Sequence, residues 1–296
     1  MPILTPAGEA EVVGELLENA VSAEVIEVES NRPDEVLEPD PGRESVSAVI
    51  ERVMAPKPIE VWLLCPKPIV EGLSVDLPAK RLLVICYLAY HRSVTSQRVR
   101  DTFWPTATSR KTADNAISQI RSILGLTSQG ENRLTQAINS GEYELCDDVG
   151  CDWVRVRVLI DQAVGRPSEE VAQLLCEALR LVDGQLGADA PRRQFSWLVD
   201  DYEVYGDIET RLLEAAARLG ELALDADDLE GATQATRAGL LLIPASDSMR
   251  RLQMRAAAAA SDGQRLEAVY KAGCWENSRV GPWAELDDQT VALLRS

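Results

Sequence analysis

The stretch from Ser109 to Gly125 constrains this chain most. Ala113, Ala116, Ile117, Ile120, Ile123 and Leu124 fall at the i, i+3, i+4, i+7 spacing of one helix face. Ser109 suits the start as a cap and Gly125 suits the end. The opposite face carries Arg110, Lys111, Asn115, Ser118, Gln119 and Ser122. Short polar donors mixed with long cations can contact phosphates and base edges. They also make up ordinary solvated helix faces, so the neighbouring segments must decide.

Those neighbours have a definite order. Upstream, Ile59–Cys65 is β-branched and apolar, a strand pattern, and Leu73–Leu77 alternates as a second strand beyond Pro66, Pro68 and Gly72. Pro78 suits the first turn of a helix that Leu82, Leu83, Ile85, Cys86, Leu88 and Ala89 carry to about Tyr90. Thr95 or Ser96 caps the next helix, Gln97–Phe103, which stops at Trp104-Pro105. After Gly125, Leu134–Ile138 and Tyr143–Cys146 read as strands around the turn Asn139-Ser140-Gly141. Strand, strand, three helices and a hairpin are the outline of a winged helix. In that arrangement the last helix enters the major groove and the hairpin touches the backbone or minor groove.

From Trp153 the pattern is almost wholly helical. Val154–Ala163 and Glu169–Val182 are apolar-periodic, Gly184–Arg192 is a loop, and a long helix starts at Ser196–Tyr205 and runs through Leu219. Leu219-Gly220, Ala232 and Pro244 stand at tetratricopeptide spacing, with the helix-to-helix turn at Asp225–Leu229. A second unit places Leu252, Ala256 and Ala268 one repeat later, turning at Ser261-Asp262-Gly263. Thr236 stands where the repeat has an aromatic, and Gly239 where it has alanine. An unclassified helical bundle is the alternative. The expected fold is mainly α, a winged-helix (α+β) domain at 56–150 followed by an all-α tetratricopeptide-like domain at 151–296.

Charge separates a third region. The chain's net −18 is uneven: residues 1–55 hold three basic and thirteen acidic side chains, whereas residues 56–152 hold eleven of each. The winged-helix stretch is thus the one part that does not repel a polyanion overall. Residues 1–55 read as an acidic, partly disordered segment. Glu9–Val28 is weakly amphipathic, Asn31–Glu44 is a proline- and carboxylate-rich linker, and Ser45–Met54 can form a short helix. An autoinhibitory role, the tail competing with nucleic acid, follows as an expectation.

The chemistry of an enzyme is not visible. There are no phosphate loops, nucleophile elbows or dinucleotide glycines. None of the six cysteines forms a CxxC pair, and the single histidine, His91, leaves a zinc site or histidine triad almost nothing to be built from. Cys86 and Cys176 read as buried thiols, and His91 as a helix-end residue favoured by the dipole. Asp147-Asp148, Asp200-Asp201 and Asp227-Asp228 lie at turns or helix ends, where solvated carboxylates are ordinary. No catalytic residue, cofactor or metal is expected. No apolar run reaches the roughly 20 residues of a spanning helix, so the expected location is the cytoplasm, as a complete chain or as the cytosolic part of a longer one.

Several fragments together carry a family resemblance. They are Leu88-Ala89-Tyr90-His91, Phe103-Trp104-Pro105, Ala113-Asp114-Asn115-Ala116-Ile117-Ser118-Gln119-Ile120-Arg121, Leu124-Gly125, Gly141-Glu142-Tyr143-Glu144-Leu145 and Asp152-Trp153. In this order they resemble the actinobacterial SARP-type regulators. There an OmpR-like winged helix precedes a bacterial transcriptional activator domain of tetratricopeptide-like helix pairs. The resemblance implies a DNA-binding transcriptional regulator. It implies that Lys111, Asn115, Ser118 and Ser122 look toward base edges, and that Arg98, Arg100, Arg110, Arg121 and Arg133 contact phosphates, with Arg92 in addition. The implied partners are double-stranded DNA and, through the repeats, the transcription machinery or another protein, with a homodimer left open. Asp114, Glu131, Glu142 and Glu144 count against tight DNA binding. A scaffold that binds protein through the repeat groove therefore stays open as the alternative.

Overall fold

The computed structural model describes residues 43–105, 110–136, 141–191 and 195–260, together with 264, 268, 269 and 271. The acidic linker up to residue 42, the Ser109 cap, the Asn139-Ser140 turn and the Ser261–Gly263 turn lie outside the described residues.

Helix α1 (Val46–Met54) starts at Ser45, whose hydroxyl accepts from Ala48 N at 3.3 Å, and buries Val46, Val49 and Val53. Strand β1 (Ile59–Trp62) pairs antiparallel with β2 (Ile69–Glu71) and parallel with β6 (Val149–Cys151). The second strand therefore lies between Pro68 and Gly72, before the expected Leu73–Leu77. Gly72 has φ +82, and a Cβ there would collide with the Pro58 carbonyl, so the chain must leave the sheet at that glycine. Leu73 and Leu77 instead lie half-buried against the core.

Helix α2 (Ala79–His91) is buried continuously from Leu83 to Tyr90 and forms the axis of the winged helix. Arg92 follows at φ 63, left-handed for a residue with a Cβ. Its guanidinium holds the conformation by donating to Val149 O (2.6 Å), Cys146 O (2.9 Å) and Leu145 O (3.1 Å). Strand β3 (Ser93–Thr95) leads into α3 (Ser96–Phe103), capped by Thr95, whose Oγ1 accepts from Arg98 N at 3.2 Å. Helix α4 (Arg110–Leu124) ends at Gly125, φ +69, and β4 (Leu134–Gln136) and β5 (Glu142–Leu145) close a three-stranded sheet in the order β3-β5-β4.

The helical half begins without a linker. Helix α5 (Asp152–Ala163) follows β6 directly, and α6 (Ser168–Leu179) packs back on it. The long helix expected from Ser196 is two. A single turn, α7 (Ser196–Val199), ends at Asp200, and α8 (Tyr202–Asp225) restarts at Asp201, whose carboxylate accepts from Glu203 N and Val204 N. Helices α9 (Leu229–Leu242) and α10 (Asp247–Ala259) are capped by Asp228 and Ser246. Asp201 and Asp228 thus have capping duties. A Cβ at Gly220 would run into Leu252, so α8 and α10 touch backbone to side chain there. Thr236, fully buried, satisfies its hydroxyl on Ala232 O and Thr233 O, both 3.0 Å. A small residue that bonds its own helix fits this tight seam where an aromatic would not.

The core runs through both halves as one cluster, from Val46 to Leu252. The junction is aromatic: Tyr90 stacks on Trp153, and Tyr87 and Tyr90 meet Trp197 edge-on. Beneath it, buried Asp152 accepts from the backbone N–H of Leu63, Leu64 and Trp153 at 2.7 to 2.9 Å. Burial pushes its carboxyl up to about 6, against the pull of those donors. The loop after α6 is fastened to the same region by Asp183 N→Leu64 O and Asp189 N→Pro66 O. His91 is the last residue of α2, as expected. Burial, and next the charge of Arg98, hold its imidazole down to about 4, so it is neutral at pH 7. Cys86 is fully buried, Cys176 only partly.

Candidate nucleic-acid interface

Helix α4 divides as its periodicity predicts. Ala113, Ile117, Ile120 and Leu124 are buried, whereas Lys111, Thr112, Asp114, Asn115, Ser118, Gln119 and Ser122 are exposed. Lys111, Asn115, Ser118 and Ser122 form the outermost strip. At 1.5 Å per residue that strip is about 16 Å long, on the order of five base-pair steps. Two sheets of contacts hold the helix. On one side Ile120 and Leu124 reach the α2 core. On the other, Arg121 is half-buried and donates from Nε to Leu134 O at 2.9 Å, fastening β4 to the helix.

The predicted phosphate cations fall into different environments. Arg98 is exposed on α3, and Arg100, half-buried, donates to Gln97 Oε1 at 2.6 Å. Arg110 is the first residue of α4, and its side chain lies outside the described atoms. Arg133 is turned inward: Nη1 donates to Leu124 O at 2.8 Å, closing the end of α4, and Nε faces Asp148 at 3.4 Å. Arg92 is occupied at the β5–β6 corner, as above. The structure therefore brings Lys111, Asn115, Ser118 and Ser122 onto one surface, while Arg98 on α3 stands close enough to His91 to act on its imidazole and Arg92, Arg121 and Arg133 brace the wing.

Two residues that the sequence did not single out border this surface. Arg81, at the start of α2, donates to Gln119 Oε1, and Lys80 sits 4.8 Å over the Trp104 ring. With Thr112 and Asn115 these side chains line a cleft of about 320 Å³ between α2 and α4. Gln119 was legible as an exposed helix position, but its partner lies 38 residues away, and no local pattern links them. The acidic features are also real. Asp114 is exposed on the wing side of α4, close enough that after burial it is the main cause raising the Tyr143 phenol. Glu131 and Glu144 are exposed, and Glu142 accepts from Ser93 Oγ at 3.4 Å.

The helical half carries a cavity of about 920 Å³, an open groove between α5, α6 and α8. Ile160, Val171, Leu175 and Ala215 floor it, and Asp207, Arg211 and Arg218 stand at its rim. Among the described residues no helix is long and apolar enough to cross a membrane, and no group of three His, Cys, Asp or Glu side chains is placed to hold a metal ion.

Neither a protein-family model nor a curated protein matches the sequence. Among solved structures, the chain is similar to EmbR of Mycobacterium tuberculosis, solved in complex with a low-affinity phosphopeptide. The TM-score is 0.56 at 19% identity, over 80% of this chain. The chain shares that protein's fold, a winged helix followed by a helical-repeat half. It spans 64% of the length of that protein's chain. Winged helix and helical repeat are thus a shared architecture here, reached with few shared residues.

Proposed function

We propose that this protein is a DNA-binding transcriptional regulator whose α4 lies in the major groove. The observation that carries the reading is the exposed strip Lys111, Asn115, Ser118 and Ser122 on a helix whose other face is buried in a winged-helix core. Arg98, Arg100 and Arg110 supply phosphate contacts beside it. Arg121 and Arg133 act indirectly, by holding the wing against the helix. The helical half supplies the second partner site, its open groove taking a protein of the transcription machinery.

The test is binding of the full chain to mixed genomic DNA fragments at 50 and 200 mM salt. With about three phosphate contacts, affinity falls roughly fortyfold across that range. A Lys111→Ala/Asn115→Ala variant loses selective binding. Absence of binding at low salt, or binding indifferent to this variant, overturns the reading. A protein scaffold is then favoured by the exposed Asp114, Glu131 and Glu144 around the wing and by the size of the repeat groove. Capture experiments with the helical half's groove blocked by substitution at Leu175 would follow.

A further inference from the structure

Arg81 donates to Gln119 Oε1 twice, from Nε at 3.1 Å and from Nη2. A guanidinium carries five N–H donors and no acceptor. Only the oxygen of the Gln119 amide can face it, so the amide's orientation follows from chemistry. Two donors on one carbonyl oxygen occupy both its lone pairs. The Nε2 group, with its two N–H donors, is left pointing away from α2. Gln119 is itself exposed, four residues after Asn115, and shares the mouth of the α2–α4 cleft with it.

This changes what the glutamine can read. A free glutamine offers one acceptor and one donor, the pair that matches adenine N6 and N7. A glutamine whose oxygen is taken offers donors alone. In the major groove guanine presents two acceptors, O6 and N7, thymine one, and cytosine a donor. We propose that Arg81 is a positioning residue that makes Gln119 a donor-only reader, so that one position of the DNA site favours guanine over adenine. The inference rests on α4 lying in the major groove. It adds to the recognition surface a residue of α2 that touches no base.

The experiment is enrichment of binding sites from a random duplex library by the full chain, its Arg81→Met variant and its Gln119→Ala variant, each checked for an unchanged melting transition. The wild type is expected to enrich a motif with guanine at one position. Gln119→Ala flattens that position and leaves the others. Arg81→Met frees the glutamine oxygen, so adenine rises at that position and the guanine-to-adenine ratio falls at least fivefold. Loss of a cation alone lowers affinity evenly across sequences and moves no single position. An Arg81→Met variant that enriches the wild-type motif overturns this inference alone. Absence of any enriched motif with the wild type overturns the DNA-binding reading and this inference with it.

Discussion

Arg155 ties three elements together, and removing it tests how the two halves are joined. It projects from α5 with its side chain 8% exposed and pairs in a fork with Glu60 of β1, 14% exposed, at 2.6 and 2.8 Å. Its remaining donors reach Val53 O and Ala55 O, both 3.1 Å, at the end of α1. Arg155→Met keeps most of the stem's volume. It leaves Glu60 with the Lys57 backbone N–H and deprives the two carbonyls of their donor. Breaking a buried pair from one side costs about 3–5 kcal/mol. That is a third or more of a typical domain's 5–15 kcal/mol. Glu60→Leu should cost a similar amount by stranding the guanidinium. The double variant has no stranded charge, and its cost reduces to three unpaired backbone groups, the Val53 and Ala55 carbonyls and the Lys57 N–H, about 3–4 kcal/mol in all. The single losses therefore should not add, and a coupling of at least ~2 kcal/mol should appear in a double-mutant cycle. Urea unfolding at pH 7 followed by far-UV circular dichroism measures it, and amide exchange should show α1 opening early in Arg155→Met. Single variants within 1 kcal/mol of the wild type, or strictly additive losses, would refute the reasoning.

Other outcomes follow from the same geometry. His91 is held neutral, with its imidazole near 4 in the fold against about 6.5 when unfolded. The unfolded chain therefore binds a proton the fold does not between those values, and stability present above pH 6.5 is lost as pH falls toward 4. The shift sets a ceiling of about 3 kcal/mol, which partial exposure reduces to about 1–2. His91→Phe, which keeps the contacts with Tyr87 and Tyr90, should flatten that limb of a pH–stability curve, and an unchanged limb would clear His91 of the effect. Gly220→Ala should destabilise by about 1–3 kcal/mol in thermal unfolding although alanine is the better helix former, because its methyl meets Leu252. A stabilised variant would contradict the close approach. Removing residues 1–42 should tighten DNA binding if the acidic tail competes with it, and unchanged affinity disposes of that idea. Extending the deletion to residue 55 should instead lower the melting temperature by several degrees, since it strips Val46, Val49 and Val53 from the core.

The local code was enough for most elements and for the face of α4. A 3.6-residue period spanning four turns leaves one way to bury Ala113, Ile117, Ile120 and Leu124, and so it also chooses Lys111, Asn115, Ser118 and Ser122 as the exposed strip. Turn and cap signals narrowed the start of α3 to Thr95 or Ser96, of which Thr95 is the cap, and placed Gly125 and the Asp225–Leu229 turn, since these duties involve only the next few residues. Strands β3 and β6, three residues each, were not legible. A strand that short has no period, and Val149–Cys151 is a strand only because Ile59–Val61 lies beside it. The break before α8 was hidden because Ser196–Tyr205 keeps helical composition while Asp201 caps a fresh start.

Partnerships between distant residues belong to the tertiary structure alone. Arginine looks alike to the sequence whether it meets solvent, a carbonyl or a carboxylate. Only the folded chain turned Arg133 onto Leu124 O, Arg92 onto the β5–β6 corner and Arg155 onto Glu60, and left Arg98 exposed. The same holds for α1, which acidic composition groups with the tail but which three buried valines and Arg155 join to the core. Periodicity records which side of an element is buried, because burial acts on each residue where it stands. It does not record against what, because that depends on chain brought in from a hundred residues away.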